Sequence, residues 1–188
     1  MSIVVLSGST MGSKTRTAMQ AVFDSLEKDY PQESVTLIDL ADYELVFSDG
    51  RNYREYTGDT KFVTEKLMEA DIIFIGTPIF QASIPGALKN VFDLLPQNGL
   101  LDKTVSILVT AGSAKHYLIA ETQLKPVLAY MKAQIVQTFV FMEERDFHRK
   151  EIVNEDALFR IERLIEDTLV LYETYKKAKQ HKEEQYGF

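Results

Sequence analysis

Directly after the apolar run Ile3-Val4-Val5-Leu6 stands the segment Ser7-Gly8-Ser9-Thr10-Met11-Gly12-Ser13-Lys14-Thr15-Arg16-Thr17. Six of its eleven side chains are hydroxyls, two residues are glycine and two are cations. Glycine lets a backbone curl until several N–H groups converge, and a helix starting behind the curl adds the positive end of its dipole. Hydroxyls donate hydrogen bonds without fixing a large charge. The combination suits a phosphate. A plain strand-to-helix loop with a Ser or Thr cap has the same composition and stands as an alternative. So does a Walker A loop, because Gly8, four residues and Ser13-Lys14-Thr15 match G-x-x-x-x-G-K-[ST] except where Ser13 replaces glycine.

Two further loops could face this one. Gly76-Thr77-Pro78-Ile79-Phe80-Gln81-Ala82-Ser83-Ile84-Pro85-Gly86 follows a third apolar run. Pro78 stiffens its turn and holds Thr77 extended, and an apolar apex with Phe80 suits a flat conjugated ring. Ile79 and Phe80 could equally be ordinary loop anchors. Thr110-Ala111-Gly112-Ser113-Ala114-Lys115-His116 carries small residues that let a ring edge approach the backbone closely. His116, a lone histidine near a helix start, is more simply structural than catalytic.

Other chemistries lack their residues. With no cysteine there is no thiol nucleophile, disulfide scaffold or cysteine-ligated metal, which fits a reducing, cytoplasmic setting. No G-x-S-x-G, H-E-x-x-H or G-x-G-x-x-G pattern occurs, and no metal site is expected. A net charge of -7 argues against nucleic acid as partner. No apolar run approaches the ~20 residues of a membrane span.

The elements that must position these loops alternate. Candidate strands are Ile3–Ser7, Val35–Asp39, Asp71–Gly76, Val105–Thr110 and Ile135–Phe141, each apolar nearly throughout, as strands buried on both faces are. Between them Met19, Val22, Phe23 and Leu26 follow helical spacing, as do Leu88, Val91, Phe92 and Leu95, with Ser83 as expected N-cap and Pro85 in the first turn. Thr60–Ala70 reads as a helix after the aromatic, charged excursion Tyr43–Asp59. The segment from His116 to Lys132 reads as helical with Pro126 inside it, so a kink or bulge is expected near Glu121–Lys125. Glu143–Glu155 reads as a charged loop. Leu158, Ile161, Ile165 and Tyr172 mark one face of a long final helix whose end, Lys176–Glu184, reads as fraying. At 188 residues, 45% hydrophobic and 26% charged, this predicts one α/β domain over 1–178 with a charged tail over 179–188. The expected fold is a doubly wound, five-stranded parallel sheet in the order 2-1-3-4-5 with helices on both faces. In such a sheet the loops after strands one, three and four converge beyond the carboxyl ends.

Ser7-Gly8-Ser9, the stretch from Thr77-Pro78-Ile79-Phe80 through Ser83-Ile84-Pro85-Gly86-Ala87-Leu88-Lys89, and Leu124-Lys125-Pro126-Val127-Leu128 together resemble the NAD(P)H-dependent FMN reductase family, nearest to the group that supplies reduced flavin to alkanesulfonate monooxygenases. The resemblance spans nearly the whole chain. It implies a flavodoxin-like fold, non-covalent FMN, and hydride transfer from NADPH or NADH to the flavin without a catalytic side chain. It also implies a small-molecule electron acceptor (free flavin, quinone, azo dye or metal ion), a homodimer or homotetramer, and a possible monooxygenase partner. By the same resemblance Ser9, Ser13, Lys14, Thr15, Arg16 and Thr17 would bind the FMN phosphate. Thr77, Pro78, Ile79 and Phe80, with Thr110, Ala111, Gly112 and Ser113, would border the ribityl chain and ring. The first loop departs from the family's G-S-x-R start, with Lys14 or Arg16 available for that arginine's role, and Thr122 stands where the alkanesulfonate group has tyrosine. A flavodoxin-like electron carrier or redox sensor, or a P-loop phosphate-transferring enzyme, are the alternative readings.

Overall fold

Four of the five apolar runs become long parallel strands in the computed structural model, which describes residues 1–186. They are β1 (Ser2–Ser7), β2 (Ser34–Asp39), β3 (Ile72–Pro78) and β4 (Thr104–Ala111). β3 and β4 are buried at every residue, as strands covered on both faces are. The sheet runs β2-β1-β3-β4-β5, the expected order, with β5 (Gln134–Ile135) at the edge. Ser7 lies opposite Gly76, and Pro78 opposite Thr110, so the three candidate loops leave the sheet side by side.

Helices cover both faces. Helices α1 (Lys14–Asp29) and α5 (Glu155–Tyr186) pack Ala18, Met19, Val22 and Leu26 with Ile161 and Ile165 on one side. The other side is covered by α2 (Gly58–Glu69), α3 (Gly86–Leu94) and α4 (Lys125–Tyr130), through Val63, Leu67, Leu88, Val91 and Leu128. Each such buried aliphatic side chain stabilises the fold by about 1.5–3 kcal/mol.

The edge strand departs from expectation. Instead of one strand over Ile135–Phe141, β5 is followed by a separate β6 (Val140–Glu143), and both pair with β4. Thr104 faces Gln134 while Leu108 faces Val140, so four steps along β4 oppose six along the edge. The two extra residues bulge outward with Gln137 and Thr138 exposed. Lys125 Nζ donates to the Gln137 carbonyl at 2.8 Å and supports the bulge from α4.

Pro126 acts as its chemistry dictates. Residues Ala120–Leu124 form a single π-turn ahead of α4, within the stretch where a bulge was expected. Other expectations are corrected. Helix α3 begins at Gly86 with Pro85 as its N-cap, and Ser83 instead closes the preceding turn. The expected loop of residues 143–155 contains an antiparallel pair, β7 (Phe147–His148) and β8 (Glu151–Ile152), organised by the buried Asp146 carboxylate. Leu158 is exposed rather than part of the buried stripe. The charged end of α5 stays helical through Tyr186 rather than fraying, and the last two residues of the expected tail lie outside the described residues.

The 43–59 excursion is pinned by one buried amide. Asn90 Oδ1 accepts from Ser48 N at 3.0 Å and Asn90 Nδ2 donates to Val46 O at 2.9 Å. No helix among the described residues is long and apolar enough to cross a membrane.

Candidate functional site

Close packing at the strand ends shapes the first loop. Gly8 N donates to Gly76 O at 2.7 Å, and a Cβ on Gly8 would lie 2.9 Å from that oxygen and from Leu88 Cδ2. No larger residue fits. Gly12 then turns the chain with φ +80°. Ser9 is buried and its Oγ donates to Met11 O at 2.5 Å, so it braces the loop from within.

Helix α1 starts open. Ser13 is its N-cap residue, yet its side chain makes no capping bond, and the first turn holds no acidic residue. The first-turn N–H groups of a helix have no intrahelical acceptor. Here they combine with the helix dipole and lack the usual internal anion, which is the donor set a phosphate monoester requires.

These groups converge with the other two loops in a hollow of about 330 Å³. Nine of the expected site residues line it: Ser13, Lys14 and Thr15 from the first loop, Pro78, Ile79 and Phe80 from the second, Thr110, Ala111 and Gly112 from the third. Thr15 Oγ1 and Thr110 Oγ1 hydrogen-bond at 2.7 Å and join the first and third loops below it. A Cβ on Gly112 would meet nothing within 4 Å, so the third loop borders open space. Met11 and Gly12 also line the hollow. Sequence reasoning passed over them as site residues because neither carries a polar side chain; Gly12 had its spacing as the only signal.

Five expected residues stand elsewhere. Ser9 and Thr77 are buried braces, the latter with Oγ1 donating to Pro78 O at 2.9 Å. Ser113 precedes the short turn Ala114–His116, where its side chain makes no capping bond. Arg16 pairs with Asp39 at 3.2 Å and Asp42 at 3.1 Å. Arg16 and Thr17 line a second, outer hollow on the far side of the loop. A helix advances about 100° per residue, so Arg16 stands roughly 200° round α1 from Lys14 and Thr17 roughly 200° from Thr15. Lys14 stays at the hollow and pairs with Glu144.

The second loop is strained at its tip. Phe80 and Ser83 exchange backbone hydrogen bonds of 2.9 and 3.0 Å around Gln81 (φ 49°) and Ala82 (φ 57°), both left-handed. Such turns favour Asn-Gly. Ser83 Oγ donates to Gln123 Oε1 of the π-turn at 3.2 Å. Nearby, in the excursion, the Tyr43 hydroxyl is pushed up from its usual range by burial first and then by Asp42 and Asp59. No group of three or more potential metal ligands occurs among the described residues.

The family model described as NADPH-dependent FMN reductase matches residues 1–147. The chain belongs to the NADPH-dependent FMN reductase family. Membership fixes the reaction class as NAD(P)H-dependent oxidoreduction with FMN. The chain is 34% identical to an NAD(P)H-dependent FAD/FMN reductase of Geobacillus thermodenitrificans, covering 96% of this chain and 98% of that one. It is 31% identical to the NADH-dependent FMN reductase SfnF of Pseudomonas fluorescens over 93% and 94% of the two chains. Among solved structures, an oxidoreductase from Corynebacterium diphtheriae superposes with a TM-score of 0.71 at 28% identity, covering 91% and 96%. An NADH:FMN oxidoreductase in apo form gives 0.73 at 29%, covering 90% and 89%. An archaeal flavodoxin at 16% identity and TM-score 0.58 shares the fold.

For this FMN reductase the Walker A alternative fails on geometry as well. The left-handed glycine is Gly12, whereas Ser13 has φ -117°, and Lys14 is engaged by Glu144. The residues present do fit FMN: an uncapped helix start faces an aromatic, proline-stiffened apex across one hollow.

Proposed function

We propose that the three-loop hollow binds FMN, with its phosphate on the α1 start and its ring against residues 78–80 and 110–112. The observation that carries this is the uncapped, acid-free first turn of α1 opening into the same hollow as Phe80 and Gly112. Ser13 Oγ, the backbone N–H groups of the first turn and the Lys14 ammonium hold the phosphate; Ser9 and Thr15 keep the loop in shape. Arg16 and Thr17 support the loop from outside. Thr77 and Ser113 brace the backbone beside the ring. Bound FMN supplies the two-electron chemistry, taking hydride from NADPH or NADH. The protein contributes orientation and backbone donors, which needs no side-chain acid or base.

The same reading takes residues 1–178 as one flavin-binding unit in the cytoplasm. It passes electrons to a small acceptor such as free flavin, a quinone, an azo dye or a metal ion. Exposed apolar side chains, including Phe47 (83% exposed) and Tyr130 (65%), support a homodimer or homotetramer. An open hollow supports release of reduced flavin to a monooxygenase.

Titration of the purified chain with FMN, followed by flavin fluorescence, tests the reading. Micromolar binding and NAD(P)H oxidation that depends on FMN are expected. Occupation of the loop by ATP with magnesium and no uptake of FMN would overturn it.

A further inference from the structure

Lys14 is the one charged residue among the eleven that line the inner hollow. A phosphate on the start of α1 therefore has a single ammonium to use. That ammonium already carries a carboxylate partner, Glu144, which reaches it from beyond the lining residues. An exposed ion pair contributes little to folding, and Glu144 is 69% exposed. The consequence of the pair lies at the ligand.

The edge of the sheet delivers Glu144 to this place. β6 pairs with β4 so that Glu143 lies opposite Ala111, a residue of the hollow's third wall. The chain then enters the short turn Glu144–Asp146, which is closed from both ends. Glu143 N donates to Asp146 Oδ2 at 2.7 Å, and the Glu143 side chain accepts from the Asp146 backbone. Asp146 is only 4% exposed, and its Oδ1 accepts from Asn154 Nδ2 at 2.6 Å. The backbone beneath Glu144 is thus fixed, while its carboxylate stands in solvent.

No neighbouring cation takes over from Lys14. Arg16 pairs with Asp39 and Asp42, and Arg145 pairs with Glu143 at 3.2 Å. Lys115 belongs to the turn beyond Ser113 and does not line the hollow. An entering phosphate must therefore share Lys14 with Glu144 or displace it. Sharing leaves two anions close together on one ammonium, and displacement breaks an existing charge-assisted bond. Both weaken the grip below what an uncommitted lysine would give.

Resting on the FMN reading above, we propose that Glu144 sets the grip on the flavin phosphate by competing with it for Lys14. The carboxylate lowers affinity for FMN relative to riboflavin, which has no phosphate, and it speeds FMN release by reclaiming the ammonium. Glu144 acts through Lys14 and touches neither the ring nor the hydride path, so it is a positioning residue.

FMN and riboflavin are titrated by flavin fluorescence into the full chain and into Glu144→Gln, Lys14→Met and the double variant. FMN release is followed by stopped flow, and thermal melts verify folding. Glu144→Ala repeats the test with no amide left at the position. Glu144→Gln and Glu144→Ala are expected to bind FMN about three- to tenfold tighter, with slower release and unchanged riboflavin affinity. In the Lys14→Met background the gain disappears, because nothing then draws Glu144 toward the phosphate. FMN affinity unchanged or weakened by both Glu144 substitutions, with the wild type still binding FMN, overturns the competition alone. Tighter riboflavin binding overturns it too, since the hollow itself would have changed. A gain that persists without Lys14 assigns the effect to direct repulsion and overturns the route through Lys14. A wild type that takes up no FMN sinks the reading of the hollow, and this proposal with it.

Discussion

The hydroxyls of Thr15 and Thr110 meet at 2.7 Å inside the protein and tie the first turn of α1 to the end of β4. This bond joins the first and third loops directly beneath the hollow. Thr15→Val leaves the Thr110 hydroxyl buried without that partner, at a cost of about 1–3 kcal/mol in urea unfolding. FMN affinity falls with it, while Thr15→Ser retains most of both. Equal stability for Thr15→Val and wild type would show that the bond contributes nothing.

Gly76 is where β3 admits the body of α1. A Cβ there would fall 2.4 Å from both Met19 Cγ and Sδ, and Met19 is fully buried. Gly76→Ala is expected to destabilise by about 1–3 kcal/mol through overpacking. In the Gly76→Ala/Met19→Ala double variant the added methyl has space, so a double-mutant cycle should show favourable coupling. Strict additivity would contradict the contact.

The tip of the second loop carries relievable strain. Ala82 sits at φ 57°, a region that costs a residue with a Cβ about 1–2 kcal/mol. Ala82→Gly removes that cost but makes the unfolded chain more flexible by about 0.4–1 kcal/mol. The net expectation is a small gain in stability with the Phe80–Ser83 bonds intact. A clear loss in chemical denaturation would mean that the turn adopts another conformation.

Far from the site, Asp102 fixes the end of α5 to the sheet. Its carboxylate is held below its usual range first by the Lys179 hydrogen bond, then, against some desolvation, by Tyr175, and Lys179 is correspondingly raised. A lowered native pKa means that the contribution is complete above the unfolded value of about 3.9 and is lost as pH falls through the native value. Asp102→Asn, which tolerates the φ of 64° there, should therefore be less stable than wild type at pH 7. The gap should close in acid below about pH 4. A gap independent of pH would assign the effect to shape rather than charge.

Much of this was legible locally. Strand runs such as residues 72–76 are apolar throughout because both faces are covered, and that pattern allows few other folds. Pro126 lacks a donor, so a helix containing it had to open nearby, and the π-turn is the result. The edge strand was not legible. Residues 135–141 have an apolar pattern whether straight or bulged, and the bulge depends on the edge position and on Lys125 arriving from α4. Arg16 was misplaced for a similar reason: its type suits a phosphate, but the phase of α1 turns it toward Asp39 and Asp42.

The amino-acid sequence by itself determined the alternation of strand and helix, the strand order and the three loops whose residues suit a flavin phosphate and ring. Those features rest on short-range preferences of the backbone and on hydrophobic period, which are written residue by residue. Only the tertiary structure decided which face of α1 looks into the hollow, how the edge strand breaks, and that a second, larger hollow lies across Gly12 and Ser13. Those depend on how separate elements are rotated and spaced against one another, and no local pattern encodes such a relation.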